Sequence, residues 1–549
     1  MSSQISMCLS WFLCIVCLFG ITSSLPAPSK GTILSSIVDL GYSKYEGTVL
    51  EAGVNQYLGM RYAAPPVGDL RWRAPHDPDE YSTVQDASQF GATCIGSGSP
   101  GVSNMTNEDC LFINVFAPSH ATTKSKLPVW FFIQGGGYSS NADRNFNGTE
   151  VIRQSNYNIV FVQINYRVGA FGFLASENIH RDGDLNVGLL DQRKALHWVQ
   201  KYIHLFGGDA DHVVIHGDSA GGGSIAFHLT AYGGRNDKLF AGAISESPFF
   251  PTHRSVAQSE FQYNRFVEGV GCSDHGDTLA CLRSKETSAL QVADVKSTFP
   301  GAPADVKPNF YFLPVLDGTF SPDYLYNLFE QGRVVRVPVI VGDDTDEGTL
   351  FSPNATSADT FLQFINSNFP LLTAWELEII KGLYPLGTSF PHHGPWFTPA
   401  EMAYGESTFI CPGIQITKSL ALYLSNNKAW NYRYNVHDDA FIEAGRGVPH
   451  VSEIPAIFGP GNSGACNGCS YETYNSAIVP IVMNYWISFI RSLNPNTHKD
   501  STAPEWQPWG SRGGQRLKIE LDATGMEAVP KDQLERCLVW KSLVPVTQQ

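Results

Sequence analysis

The chain alternates short apolar runs with stretches of helical spacing. Residues 128–133 (Pro-Val-Trp-Phe-Phe-Ile) form one apolar block of strand length, and residues 158–165 (Asn-Ile-Val-Phe-Val-Gln-Ile-Asn) form another. Blocks that are apolar throughout, rather than alternating, fit strands buried on both faces. Residues 190–206 carry apolar positions at helical spacing and run into Gly207-Gly208, a helix stop. A strand is predicted at 213–216, then a helix from Ala220 to about Tyr232. Further strands are predicted at 241–245, 338–342 and 429–436. This order predicts an α/β fold with one large, open, mostly parallel central sheet and helices on both faces. Sites in such folds form at the carboxyl ends of the strands. No repeat or low-complexity linker divides residues 30–545, so residues 25–549 read as one domain.

The strand at 213–216 leads into Gly217-Asp218-Ser219-Ala220-Gly221. A serine on a sharp strand-to-helix turn, with small residues two positions before and two after, is a nucleophile elbow. Strand and helix approach closely there, which only glycine-sized residues allow. Such a serine needs a base to take its proton and an acid to orient that base. Glu347 follows the 338–342 strand and His450 follows the 429–436 strand, in the chain order that this turn type uses. Asp346, one residue before Glu347, is the rival acid. Backbone N–H groups must also face the developing oxyanion. The glycines of Gln134-Gly135-Gly136-Gly137-Tyr138, after the 128–133 strand, leave room for them, and Ala220 N–H is a further donor.

Composition adds compartment. Residues 8–21 are nearly all apolar, followed by Thr22-Ser23-Ser24, which reads as a signal peptide over 1–24 with cleavage after Ser24. It lacks the usual Lys or Arg before its apolar region. No other long apolar stretch occurs, so no stable membrane anchor is expected and the protein is expected to be secreted. A net charge of −15 without basic clusters argues against nucleic acid as a partner. Cys94, Cys110, Cys272, Cys281, Cys411, Cys466, Cys469 and Cys537 remain after the leader, an even set that fits disulfides in a secreted chain. Their pairing is open at this point. Asn104, Asn147 and Asn354 head glycosylation acceptor triplets.

Four blocks together resemble the type-B carboxylesterase and lipase family, the cholinesterase-like α/β-hydrolases, and within it the secreted fungal members. They are residues 57–72 (Tyr-Leu-Gly-Met-Arg-Tyr to Leu-Arg-Trp), residues 108–115 (Glu-Asp-Cys-Leu-Phe-Ile-Asn-Val), residues 165–174 with 186–192 beyond, and residues 206–210 leading into the elbow. The resemblance runs from about residue 40 to 540. It implies an α/β-hydrolase fold, Ser219 as nucleophile, Glu347 as triad acid and His450 as base, with Gly136, Gly137 and Ala220 as oxyanion donors. It implies Cys94–Cys110, Cys272–Cys281 and Cys411–Cys537 as bridges, and the ion pairs Arg71 with Glu108 and Arg167 with Asp191 as structural. Cys466 and Cys469 are left over, and a small structural ring is expected for them.

Departures refine the reading. Gln134 stands where the family commonly has His, and Asp218 where Glu is more frequent, which shortens an acid beside the base. Only residues 95–109, mostly Gly, Ser and Asn, separate Cys94 from Cys110. In family lipases a longer segment there forms an amphipathic lid, and in cholinesterases it carries a tryptophan that stacks on choline. This segment has neither. Phe310 falls where the family builds its acyl pocket. The resemblance thus implies a serine carboxylic ester hydrolase acting on a small ester without metal or organic cofactor. A triacylglycerol lipase and an esterase dedicated to one natural product are the alternatives. A catalytically dead binding module is disfavoured, because no triad residue is missing.

Overall fold

An eleven-stranded sheet organises the chain. The computed structural model describes residues 36–549 apart from 304, 425–427, 465, 467, 512 and 513, so the leader expected at 1–24 lies outside the described residues. In chain order the sheet strands are β1 (Thr48–Leu50), β2 (Val54–Arg61), β3 (Phe112–Pro118), β4 (Leu127–Ile133), β5 (Val160–Ile164), β6 (Gly208–Asp218), β7 (Gly242–Glu246), β8 (Val339–Asp344), β9 (Ala429–Tyr434), β10 (Gln515–Ile519) and β11 (Gly525–Ala528). Their spatial order is β11-β10-β9-β8-β7-β6-β4-β5-β3-β2-β1. Neighbours from β5 through β10 pair in parallel. The pairs that involve β1, β2, β3 and β11 are antiparallel.

Every strand expected from an apolar run is a strand here, within a few residues. The helix expected at 190–206 spans Val187–Tyr202 and tightens into a 3₁₀ turn, Ile203–Phe206. Gly207, at φ 82°, stops it alone, and Gly208 already opens β6. The edge strands carry no apolar block because they are not buried on both faces. β1 and β11 contain no buried residue.

Alternation along the parallel strands feeds two cores. Val129, Phe131, Ile133, Val213 and Ile215 face one side of the sheet, and Trp130, Phe132 and Val214 face the other. Trp130 and Phe132 pack on Phe458 with ring centroids 5.3 and 5.1 Å apart. Burial on both faces is what a parallel sheet covered by helices requires. Among the described residues no helix is long and apolar enough to cross a membrane.

β4 lies between β5 and β6, so the chain leaves its carboxyl end toward one neighbour and returns beyond it to the other. The crevice at this switch point holds the 134–138 loop and the turn after β6. That turn is tight. A Cβ on Gly221 would lie 2.0 Å from the Ile133 carbonyl oxygen, and one on Gly217 would lie 2.4 Å from the Gly221 carbonyl carbon. We expect Gly221→Ala to destabilise the protein by about 1–3 kcal/mol or more through overpacking, read as a lowered midpoint in thermal unfolding. An unchanged midpoint would show that strand and helix can part without cost.

Candidate active site

Ser219 joins β6 to the helix Ala220–Gly234 with φ 55° and ψ −120°. A non-glycine residue held there costs about 1–3 kcal/mol. Its neighbours hold it. Ser219 N–H donates to the Glu246 carbonyl at 2.9 Å, and Gly223 and Phe249 N–H donate to the Ser219 carbonyl at 2.8 and 3.0 Å.

The 134–138 loop lies beside it. Gln134 is buried and donates from Nε2 to Ile164 O and Asn165 Oδ1, both at 2.9 Å, while Tyr166 Oη donates to Gln134 O. It anchors the loop rather than facing the site. Gly136 and Gly137 have φ 113° and 61°, which only glycine adopts readily. A Cβ on Gly137 would fall 1.9 Å from the Phe310 ring. The N–H groups of Gly136, Gly137 and Ala220 donate to no other backbone carbonyl among the described residues.

Glu347, not Asp346, reaches His450. Its Oε2 accepts a short hydrogen bond from His450 Nδ1. Its Oε1 accepts from Ser247 Oγ at 2.7 Å and from Asp344 N–H at 2.8 Å. Asp346 instead accepts from Val448 N–H at 2.7 Å and holds the loop that carries His450. His450 Nε2 is buried without a hydrogen-bond partner among the described residues. Ser247 was not legible as a site residue, although its place just after β7 is a strand-end signal.

Aromatic rings wall the site. Phe310 packs on Phe249 at 4.9 Å and on Phe351 at 6.0 Å. Phe351 and Phe409 then contact His450 at 5.0 and 4.3 Å. Phe409 sits in a π-helical turn, Glu406–Ile410. Glu406 accepts from Arg536 at 2.6 and 2.7 Å and from Tyr384 Oη at 2.7 Å. Cys411, the next residue, is bonded to Cys537.

Asp218 has a partner the sequence did not announce. Gly135 N–H is shared at 3.0 Å between Asp218 Oδ1 and Asp143 Oδ2. Both carboxyls are pushed up by burial, Asp218 strongly and further by Asp143, whereas the hydrogen bond with Asp218 pulls Asp143 back down. A proton shared between them would avoid two like charges in contact. His450 lies near enough to lower the Asp143 carboxyl. Asp143 sits in a polar stretch without pattern, so nothing in the sequence marks it.

The remaining expected residues fall as follows. Arg71 pairs with Glu108 at 2.6 Å and Arg167 with Asp191 at 2.7 Å, both buried. Cys94–Cys110, Cys272–Cys281 and Cys466–Cys469 are bonded. Asn104 and Asn354 are exposed, and Asn147 is half-buried. Between Cys94 and Thr106 there is no helix or strand. Buried Asp294 pins this segment, accepting from Ser97 Oγ at 2.6 Å and from Ala170 N–H at 3.0 Å. Among the described residues no cluster of three or more His, Cys, Asp and Glu is placed to hold a metal ion.

Residues 35–540 match the carboxylesterase family. The chain is similar to Lipase 2 of Geotrichum candidum, 31% identical over 563 residues that cover 92% of this chain and 93% of the lipase. It is similar to Secreted lipase 4 of Gibberella zeae, 29% identical over 540 residues that cover 91% and 92% of the two chains. Among solved structures, the crystal structure of Aspergillus niger EstA matches with a TM-score of 0.92 and 52% identity, covering 94% of this chain and 99% of EstA.

Burial pushes the Asp294 carboxyl up to about 7 from an ordinary 3.8. Between about pH 4 and 7 the folded chain therefore binds more protons here than the unfolded one, and this contribution to stability is lost as pH rises through that window. Asp294→Asn removes the titration. Its midpoint relative to wild type should rise by about 4 °C between pH 4 and 7.5 in thermal unfolding. A constant difference would refute the assignment.

Proposed function

The chain belongs to the carboxylesterase family and is a carboxylic ester hydrolase, and on that premise we propose that it is a secreted serine carboxylesterase using Ser219, His450 and Glu347. The observation that carries this reading is the state of His450: Nδ1 is bound to Glu347 while Nε2 is buried with no partner. An imidazole oriented on one side and unengaged on the other is arranged to accept a proton.

Ser219 Oγ attacks the ester carbonyl as His450 Nε2 takes its proton. Glu347 holds the imidazole by Nδ1–H and stabilises its positive charge, and Ser247 Oγ and Asp344 N–H keep that carboxylate in place. The N–H groups of Gly136, Gly137 and Ala220 receive the oxyanion. His450 then protonates the leaving alcohol, and the acyl group stays on Ser219. Water attacks this acyl-enzyme with the same base. The cycle runs on protein groups and water.

The wall around Phe310 favours short acyl groups. Phe249, Phe299, Phe310 and Tyr404 leave a void of only about 20 Å³ between them, and the Phe310 ring fills the space over Gly137. The absence of any helix between Cys94 and Thr106 removes the amphipathic cover that acts at an oil surface. The names of two relatives, Lipase 2 and Secreted lipase 4, favour a second reading as a triacylglycerol lipase. Secretion is supported by the apolar leader, the paired cysteines and the word secreted in the second of those names.

We expect Ser219→Ala to lower kcat on p-nitrophenyl acetate by about 10⁴–10⁶-fold with unfolding unchanged; full turnover in that variant would sink the mechanism. Phe310→Ala should shift the preferred acyl length upward by at least two carbons across a series of p-nitrophenyl esters. Faster turnover of emulsified tributyrin than of soluble short esters by wild type would favour the lipase instead.

A further inference from the structure

The helix Cys411–Tyr423 and the helix Lys531–Ser542 are joined at one point by the Cys411–Cys537 bridge. Beside the bridge they flank a groove of about 500 Å³, the size of a small-molecule site. Each helix lends it one stripe of side chains. Ile414, Lys418 and Leu422 follow at i, i+4 and i+8 on the first helix. Leu534, Leu538 and Lys541 follow at i, i+4 and i+7 on the second. Leu422 is 75% exposed and Leu538 59%. A single exposed leucine is ordinary, but two on the walls of one apolar groove mark a place for an apolar ligand.

The charges of the groove are one-sided. The chain carries 52 acidic and 37 basic residues, yet no acidic residue lines the groove, and the two charged residues that do are lysines. Lys541 is paired with Glu330. Lys418 is exposed and makes no ion pair among the described residues. One uncompensated cation therefore stands on an apolar groove. Its complement is an alkyl chain that ends in one negative charge. The stripe from Ile414 to Leu422 is about 12 Å long at about 1.5 Å per residue, which an extended chain of about ten carbons matches.

We propose that this groove binds the anion of a medium-chain aliphatic acid. The alkyl chain lies between the two stripes, and the carboxylate meets Lys418. Neither Ser219, His450 nor Glu347 lines the groove, so the binding does not depend on which ester the protein cleaves.

The test titrates the full chain with decanoate by isothermal calorimetry, below the micelle concentration and at constant ionic strength. One equivalent should bind with a Kd of about 10–100 μM, as suits a ligand of this size. The Kd should fall about two- to fourfold per methylene from hexanoate to decanoate. Lys418→Glu, at an exposed position, should weaken binding about tenfold or more. Leu538→Gln, also at an exposed position, should weaken it about threefold. Decyltrimethylammonium, with the same tail and the opposite charge, should not displace decanoate. Absence of binding overturns the proposal. So does equal binding in both variants, which assigns decanoate to another site such as the Ser219 cleft, and so does displacement by the cation. A second copy of the chain seated on the groove would give a dimer in sedimentation velocity that Leu538→Gln dissociates, with no decanoate bound, and that outcome overturns the proposal too.

Discussion

A single steric contact sets the geometry of this molecule. The Ile133 carbonyl at the end of β4 occupies the place that a side chain on Gly221 would take. Because β4 and β6 are parallel neighbours, their carboxyl ends open side by side. The helix after β6 can therefore pack against the end of β4 only by coming within backbone contact of it. That approach forces the Ser219 conformation and puts the 134–138 loop within reach of the serine. Gly135 belongs to the same contact: a Cβ there would sit 2.9 Å from Ser219 Cβ.

Around that contact the protein has gathered acids rather than bases. Glu347, Asp344, Glu246, Glu453, Asp343, Asp218 and Glu401 are all buried near the strand ends. Burial holds Asp218, Asp343, Asp344, Glu246 and Glu401 well above the usual carboxylate range. Carboxyls held toward their neutral form add less like charge around the Glu347–His450 pair. Asp143 and Asp218 show the same logic over a shorter span, sharing one N–H of the loop that faces the serine.

The strands of the parallel centre were legible because burial on both faces writes an unbroken apolar block into the sequence, as at 128–133. The edge strands were not, because half-exposed strands such as Thr48–Leu50 leave no such block. Ser219 and the glycines stood out because backbone sterics constrain a strand-to-helix elbow, and Glu347 and His450 because chain order and the family resemblance pointed to them. Asp143, Ser247 and Phe409 could not. Asp143 acts from an irregular loop, Ser247 through one hydroxyl, and Phe409 through a π-turn whose extra residue rotates its ring toward His450. Such roles depend on three-dimensional register, which has no period along the chain.

The bridge from Cys411 to Cys537 closes a separation of 126 residues and begins at the residue after the π-turn that presses Phe409 on His450. The ring beside the imidazole is therefore fastened, through one covalent bond, to the helix Lys531–Ser542. The chain has to be made through residue 537 before that fastening can form, and it forms only where thiols are oxidised. The redox state of the surroundings thus acts on the wall beside His450 itself. A preparation made in a reducing cytoplasm would carry the same side chains around a less firmly held ring.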